Sequence, residues 1–218
     1  MRGWFRFLKS TPCFTLLMVQ LLGVVAYPFM EGHAAGRAAF STFGLLVLVL
    51  IILAIRATPF LTWVSVLIGA PAVVLLVLQI VTGSDTLFAW SSGFEAVLYF
   101  YAASSMLVYM LKDEKVTIDE LFAIGAVFTL LAWAFAYVFV VVQALQPGSF
   151  GGGPEGMRTW MELLFLSFTT LTNSGLSDIV PALGHARSAV MLEEVAGVLY
   201  IAMVITRLVG LRAARARF

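Results

Sequence analysis

Across residues 169–178 the chain reads Thr-Thr-Leu-Thr-Asn-Ser-Gly-Leu-Ser-Asp, a polar run in an otherwise apolar sequence. Ser174 and Ser177 bracket Gly175-Leu176, and a serine becomes a nucleophile when a neighbouring base takes its proton. No histidine or lysine is placed to be that base. The two histidines, His33 and His185, fall in loop-like sequence expected outside a membrane, where a pH-sensing role stays open. Two isolated histidines and one cysteine, Cys13, give no zinc-ligand spacing, and Cys13 reads as a small buried hydrophobe. Neither an enzyme, a cofactor nor a bound metal is expected. The remaining candidates are carboxylates. Asp178 ends the polar run, Glu162 precedes it, and Glu193 and Glu194 follow it inside an apolar segment. Ionisable groups there are costly and face protein or water.

These residues need elements to position them, and the composition says in what solvent. Of the 218 residues, 61% are hydrophobic and 11% charged, where a soluble domain carries roughly 25% charge. The bilayer is the expected solvent. A net charge of +1 leaves no electrostatic footprint for nucleic acid. Six apolar segments follow one another: Pro12–Met30, Phe40–Ile55, Pro59–Val81, Phe88–Leu111, Ile118–Leu145 and Ser188–Leu211. A crossing helix needs about 20 apolar residues, with a range of about 17–25. The second segment is short and extends toward Arg37. Arg2, Arg6 and Lys9 before the first segment, and Ala34-Ala35-Gly36 after it, resemble a signal sequence. The run is longer than a signal core of about 7–15 residues, so it reads as a span.

Basic residues set the orientation. With both termini cytoplasmic, Arg2, Arg6, Lys9, Arg56, Lys112, Lys115, Arg207, Arg212, Arg215 and Arg217 lie inside, and only Arg37, Arg158 and Arg187 lie outside. The expectation is a multi-pass protein of the cell (inner) membrane. Its C-terminal arginines are expected to touch anionic lipid, with no cytosolic ligand-binding domain after them.

The connection between the fifth and sixth segments differs from the others. Gln146-Pro-Gly-Ser-Phe-Gly-Gly-Gly-Pro-Glu155 reads as a flexible external loop. Met157–Leu171 then reads as an amphipathic helix of about 22 Å, too short to cross. A short helix followed by a polar strand suggests a re-entrant element. Non-helical backbone at membrane depth is tolerated only where protein buries it or it lines a watery cavity. A pore-like interior is therefore expected.

The stretch Phe165-Leu-Ser-Phe-Thr-Thr-Leu-Thr-Asn-Ser-Gly-Leu-Ser-Asp-Ile-Val-Pro181 resembles the pore loop of tetrameric potassium channels, whose pattern is T-T-x-T-T-V-G-Y-G-D-x-x-P. Ala186–Tyr200 and the ending Leu208-Val-Gly-Leu211 are similar to the inner helix of bacterial six-segment ion-channel proteins. The resemblance is best from Thr117 to Leu211; the first four segments match only in number and hydrophobicity. It implies an all-α membrane protein with six transmembrane helices, a re-entrant pore helix and a filter loop, assembled as a homotetramer. Residues 1–116 are expected to form a four-helix scaffold and residues 117–218 the pore domain. The fourth segment has Glu95 as its only charge, an interfacial or helix-pairing residue, so the scaffold is not expected to sense voltage. In the family, four strands turn backbone carbonyls to the axis to replace the hydration shell of an ion. Four pore helices aim their negative dipole ends at the cavity below.

The filter implied by the resemblance is Thr172, Asn173, Ser174, Gly175, Leu176, Ser177 and Asp178. Thr172, Gly175, Asp178 and Pro181 match the pattern. Asn173 replaces threonine, Ser174 valine, Leu176 tyrosine and Ser177 glycine. A left-handed Ser177 costs roughly 1–2 kcal/mol, and Leu176 cannot supply a phenolic hydrogen bond. A wider, shorter or distorted filter is expected, with potassium the permeant ion by resemblance and sodium less sharply excluded. Four copies of Asp178 would concentrate cations at the outer mouth. Glu193 and Glu162 are expected to support the filter from behind, while Glu194 reads equally as an interfacial carboxylate. Gly197 reads as a gating hinge or as a close-packing glycine. The partners implied are further copies of the chain, membrane lipids and monovalent cations. The function implied is passive cation conduction. The alternative is a non-conducting scaffold or modulatory subunit with a degenerate filter. A secondary transporter would show paired broken helices in an internal repeat, and the sequence has one interrupted element.

Overall fold

The computed structural model describes residues 11–29, 34–55, 62–112, 118–151 and 157–215. The expectations at Arg2, Arg6, Lys9, His33, Arg56, Lys115 and Arg217 lie outside those residues. The order is α1 (Pro12–Ala26), a 3-10 turn (Tyr27–Phe29), α2 (Ala34–Ile55), α3 (Thr62–Thr82), α4 (Asp85–Lys112) and α5 (Ile118–Leu145). Strand β1 (Phe150–Gly151), helix α6 (Trp160–Leu171), strand β2 (Val180–Pro181) and helix α7 (Gly184–Arg215) follow.

Local chemistry explains the boundaries. α1 begins on Pro12, whose fixed φ suits a first helical position. It tightens into the 3-10 turn Tyr27–Phe29, where the Tyr27 amide donates to the Gly23 carbonyl and Pro28 brings no amide of its own. Thr11 makes no side-chain cap, and the amide of Cys13 instead donates to the Asp119 carboxylate of α5 at 3.2 Å. Cys13 itself is buried. The second segment is longer than its apolar run suggested: α2 spans 22 residues, starting at Ala34. Pro71 lies inside α3, a break that membrane helices tolerate when neighbours satisfy the freed carbonyl.

Among the described residues, five helical stretches are long and apolar enough to cross a membrane: Pro12–Phe29, Thr62–Thr82, Thr86–Leu111, Ile118–Leu145 and Gly184–Val209. Thr42–Ile55 and Trp160–Leu171 are shorter apolar helices.

α5 lies at the centre, against α1, α4, α6 and α7. Its buried alanines, Ala123, Ala126, Ala132, Ala134 and Ala136, let those neighbours approach closely. Thr129 donates to Gln20 of α1 at 2.8 Å inside this core. At the far end of α5, the Gln143 amide exchanges two buried hydrogen bonds of 2.9 Å with the backbone of Arg158, just before α6. A third tie is the β1–β2 ribbon, with Phe150 opposite Pro181 and Gly151 opposite Val180. Gln143→Leu would leave both buried backbone groups of Arg158 without partners. It is expected to lower stability by about 1–3 kcal/mol, read as an earlier unfolding transition in detergent.

Candidate pore loop

α6 starts where its capping residues dictate. The Thr159 hydroxyl accepts from the amide of Glu162 at 3.3 Å, and the Glu162 carboxylate accepts from the amide of Thr159 at 2.6 Å. This reciprocal pair satisfies two N-terminal donors. The helix therefore begins at Trp160, three residues later than Met157. Glu162 thus braces the start of the helix, while the polar strand follows the other end.

The other end is built by α7. One face of α7 is turned inward at Ala186, Ala189, Val190, Glu193, Gly197 and Tyr200, a spacing of three to four residues. Glu193 has no solvent exposure, and its Oε1 accepts from the hydroxyl of Ser167 on α6. Ser167 also lies 2.7 Å from the Ala132 carbonyl of α5, so three helices meet at this hydroxyl. One turn further along, a side chain on Gly197 would collide with the backbone carbonyl of Leu171, the last residue of α6. α7 continues as a helix through this point. Close packing thus accounts for a glycine here. Glu194, beside Glu193, points outward and is exposed. Lower down, Tyr200 donates to the Ile124 carbonyl, and Arg207 lies 3.8 Å from Glu120 of α5.

After Leu171 the chain turns back on the helix it has left. Thr172 ends α6, its hydroxyl donating to the Phe168 carbonyl at 2.7 Å. The amide of Asn173 donates to Thr170 at 2.8 Å, and those of Ser174 and Gly175 donate to Thr169 at 2.9 and 3.3 Å. Asn173 and Gly175 adopt left-handed backbone, with φ of 55° and 63°. Ser177 avoids that costly conformation: among the described residues, the one non-glycine residue in that region is Asn173. Asparagine visits it more readily than most residues. Ser177 instead uses its hydroxyl, which accepts from the amide of Ile179 at 3.1 Å.

The consequence is directional. Three successive N–H groups are committed to carbonyls at the end of α6. The carbonyls of Thr172 to Leu176 accept from no described backbone donor outside regular helices and strands. Thr172 to Leu176 are exposed, Leu176 at 75%. Asp178 is exposed too, while Ile179 is buried and anchors the outgoing strand. Beyond it, the amide of Ala182 donates to the Ser149 carbonyl at 2.8 Å, fixing the loop's far end to the exit of α5.

The structure thus brings Glu193 to the pore helix, and Gly197 to its end. Ser167 and Thr159 were not singled out from sequence. The capping by Thr159 was readable, because Thr159 stands three residues before Glu162 and ahead of an apolar run. Ser167 carried no such signal.

A family described as "Ion channel" matches residues 96–211, more than half of the chain. The match reaches back into α4, further than the Thr117 expected from sequence. No curated protein and no solved structure matches the chain.

Gly197→Ala is expected to cost about 1–3 kcal/mol, because backbone and not a flexible side chain must give way. Ser167→Ala, which takes the donor from a buried carboxyl oxygen, is expected to cost about 1–3 kcal/mol. Both are read from unfolding in detergent; an unchanged transition in the alanine variant of Gly197 contradicts the packing described.

Proposed function

The chain belongs to the ion-channel family, and on that premise we propose that it is a passive channel for monovalent cations. Four copies surround one axis in the cell membrane, each crossing six times with both termini in the cytoplasm. Each contributes the strand Thr172–Asp178 to a shared filter. α2, at 22 residues, has the length of the sixth span.

One observation carries the reading: a short helix, capped at its start and gripped at its end, leads into a loop whose first three N–H groups, those of Asn173, Ser174 and Gly175, turn backward. Carbonyls left free on the exposed side are the groups that can replace the hydration shell of a cation. The last turn of α6 adds its negative dipole end. The outward face of α7 supports assembly, since Leu192, Val195, Val198 and Leu199 are apolar and uncovered in a single chain.

Selectivity follows from the departures in the strand. Leu176 has no phenol with which to brace the loop, and Ser177 is tied into a local turn with Ile179. The filter is therefore expected to be shorter than four stacked carbonyl sites and to pass sodium along with potassium. Recording from purified protein in a planar bilayer, under opposed potassium and sodium gradients, tests this. Unitary currents that reverse near zero are expected. A reversal near the potassium limit overturns the relaxed filter. Silence from verified tetramers, persisting in the double variant Leu176→Tyr and Ser177→Gly, overturns conduction and favours a modulatory subunit.

A further inference from the structure

The strand after α6 carries two neighbouring hydroxyls, and each has one proton to give. Thr172 Oγ1 lies 2.7 Å from the Phe168 carbonyl and 3.3 Å from that of Thr169. Ser174 Oγ lies 3.3 Å from the Thr169 carbonyl and 3.1 Å from Thr172 Oγ1. A carbonyl has two lone pairs. Those of Thr169 are taken by the amides of Ser174 and Gly175, at 2.9 and 3.3 Å. Thr172 therefore gives its proton to Phe168, its shorter contact, and Ser174 gives its proton to Thr172. The donors run from Ser174 to Thr172 to Phe168, back toward α6.

Both lone pairs of the Ser174 oxygen are then left over. Among the described residues, Thr172 is the one side chain placed to donate to it, and the proton of Thr172 is committed to Phe168. Ser174 is exposed. Its hydroxyl holds little of the loop, because residues 173–175 are tied back by their own amides. A valine, which stands here in the resembling pattern, would keep all three of those amide bonds. What the serine adds is an oxygen whose proton is turned away from the exposed side.

Resting on the channel reading above, we propose that Ser174 is a specificity-determining residue: its hydroxyl oxygen is a ligand for the permeating cation and the group that admits sodium. Four strands on one axis bring four such oxygens into a ring beside the free backbone carbonyls. Those carbonyls are set by the left-handed turns at Asn173 and Gly175, so their distance from the axis is fixed. A serine side chain turns about a single bond between staggered positions. It closes on a smaller ion by giving up its 3.1 Å bond to Thr172. Sodium, the smaller ion, gains most from a ligand that follows it inward.

Threonine and valine have nearly the same shape, and only threonine carries the hydroxyl, so Ser174→Thr and Ser174→Val isolate the oxygen. The full chain in detergent is unfolded by heat in sodium, potassium or N-methylglucamine chloride at one ionic strength. Each midpoint is taken relative to the same variant in N-methylglucamine, which removes any difference in folding. A bound ion raises the midpoint by mass action. The parent and Ser174→Thr are expected to respond at similar sodium concentrations. Ser174→Val is expected to need at least about tenfold more sodium, the equivalent of one lost polar contact, with its potassium response moved less. In bilayers under opposed gradients, the valine variant should reverse closer to the potassium limit and the threonine variant near zero, as the parent does. Valine and threonine variants that respond alike to sodium, or a parent that sodium does not stabilise, overturn the proposal. A silent parent counts against the channel reading, while the sodium dependence of stability still decides the ligand.

Discussion

The contact between Gly197 and the carbonyl of Leu171 is the constraint on which the rest of the pore loop depends. A helix that stops partway through a membrane leaves its last carbonyls, and the strand after them, with no water to turn to. The chain answers with the backbone of a neighbouring helix, brought too close to admit a side chain. Glu193, four residues earlier on the same face, adds its bond to Ser167. One helix face therefore fixes both the position and the rotation of the end of α6.

Everything downstream follows from a helix end held in this way. Thr169 and Thr170 offer carbonyls at known places, and three successive amides of the loop close onto them. That closure forces left-handed backbone at residues 173 and 175, met by an asparagine and a glycine. The far side of the loop is held separately, by Ile179 in the core and by the ribbon with Phe150 and Gly151. Between the two anchors, Thr172 to Gly175 bond back to the end of α6. The exposed side is left to whatever fills the space in front of it.

The sequence announced this architecture unevenly, and the reasons are physical. α5 begins and ends where its apolar run does, at Ile118 and Leu145, because a long buried helix needs no other signal. α2 and α7 extend past their apolar runs, since a helix continues through polar residues until its backbone bonds are interrupted. The start of α6 was written in Thr159 and Glu162, three residues apart, whose side chains cap each other's amides. Ser177, where a glycine stands in the resembling pattern, avoids left-handed backbone. The strain lies at Asn173 instead, because the turn is set by the carbonyls of Thr169 and Thr170. The partner of Glu193 and the surroundings of Gly197 lie 26 residues away in sequence, and no local pattern encodes such distances.

The central claim is that the exposed side of Thr172–Leu176 faces an ion on a shared axis. The most direct measurement is a cryo-electron microscopy structure of the full chain in lipid nanodiscs with potassium present. The account predicts four copies around one axis, α6 pointing its C-terminal end at that axis, and ion density between the carbonyls of Thr172 to Leu176. Four-fold assembly with the loop turned toward lipid, or a chain that remains single with the loop covered by its own helices, would contradict it.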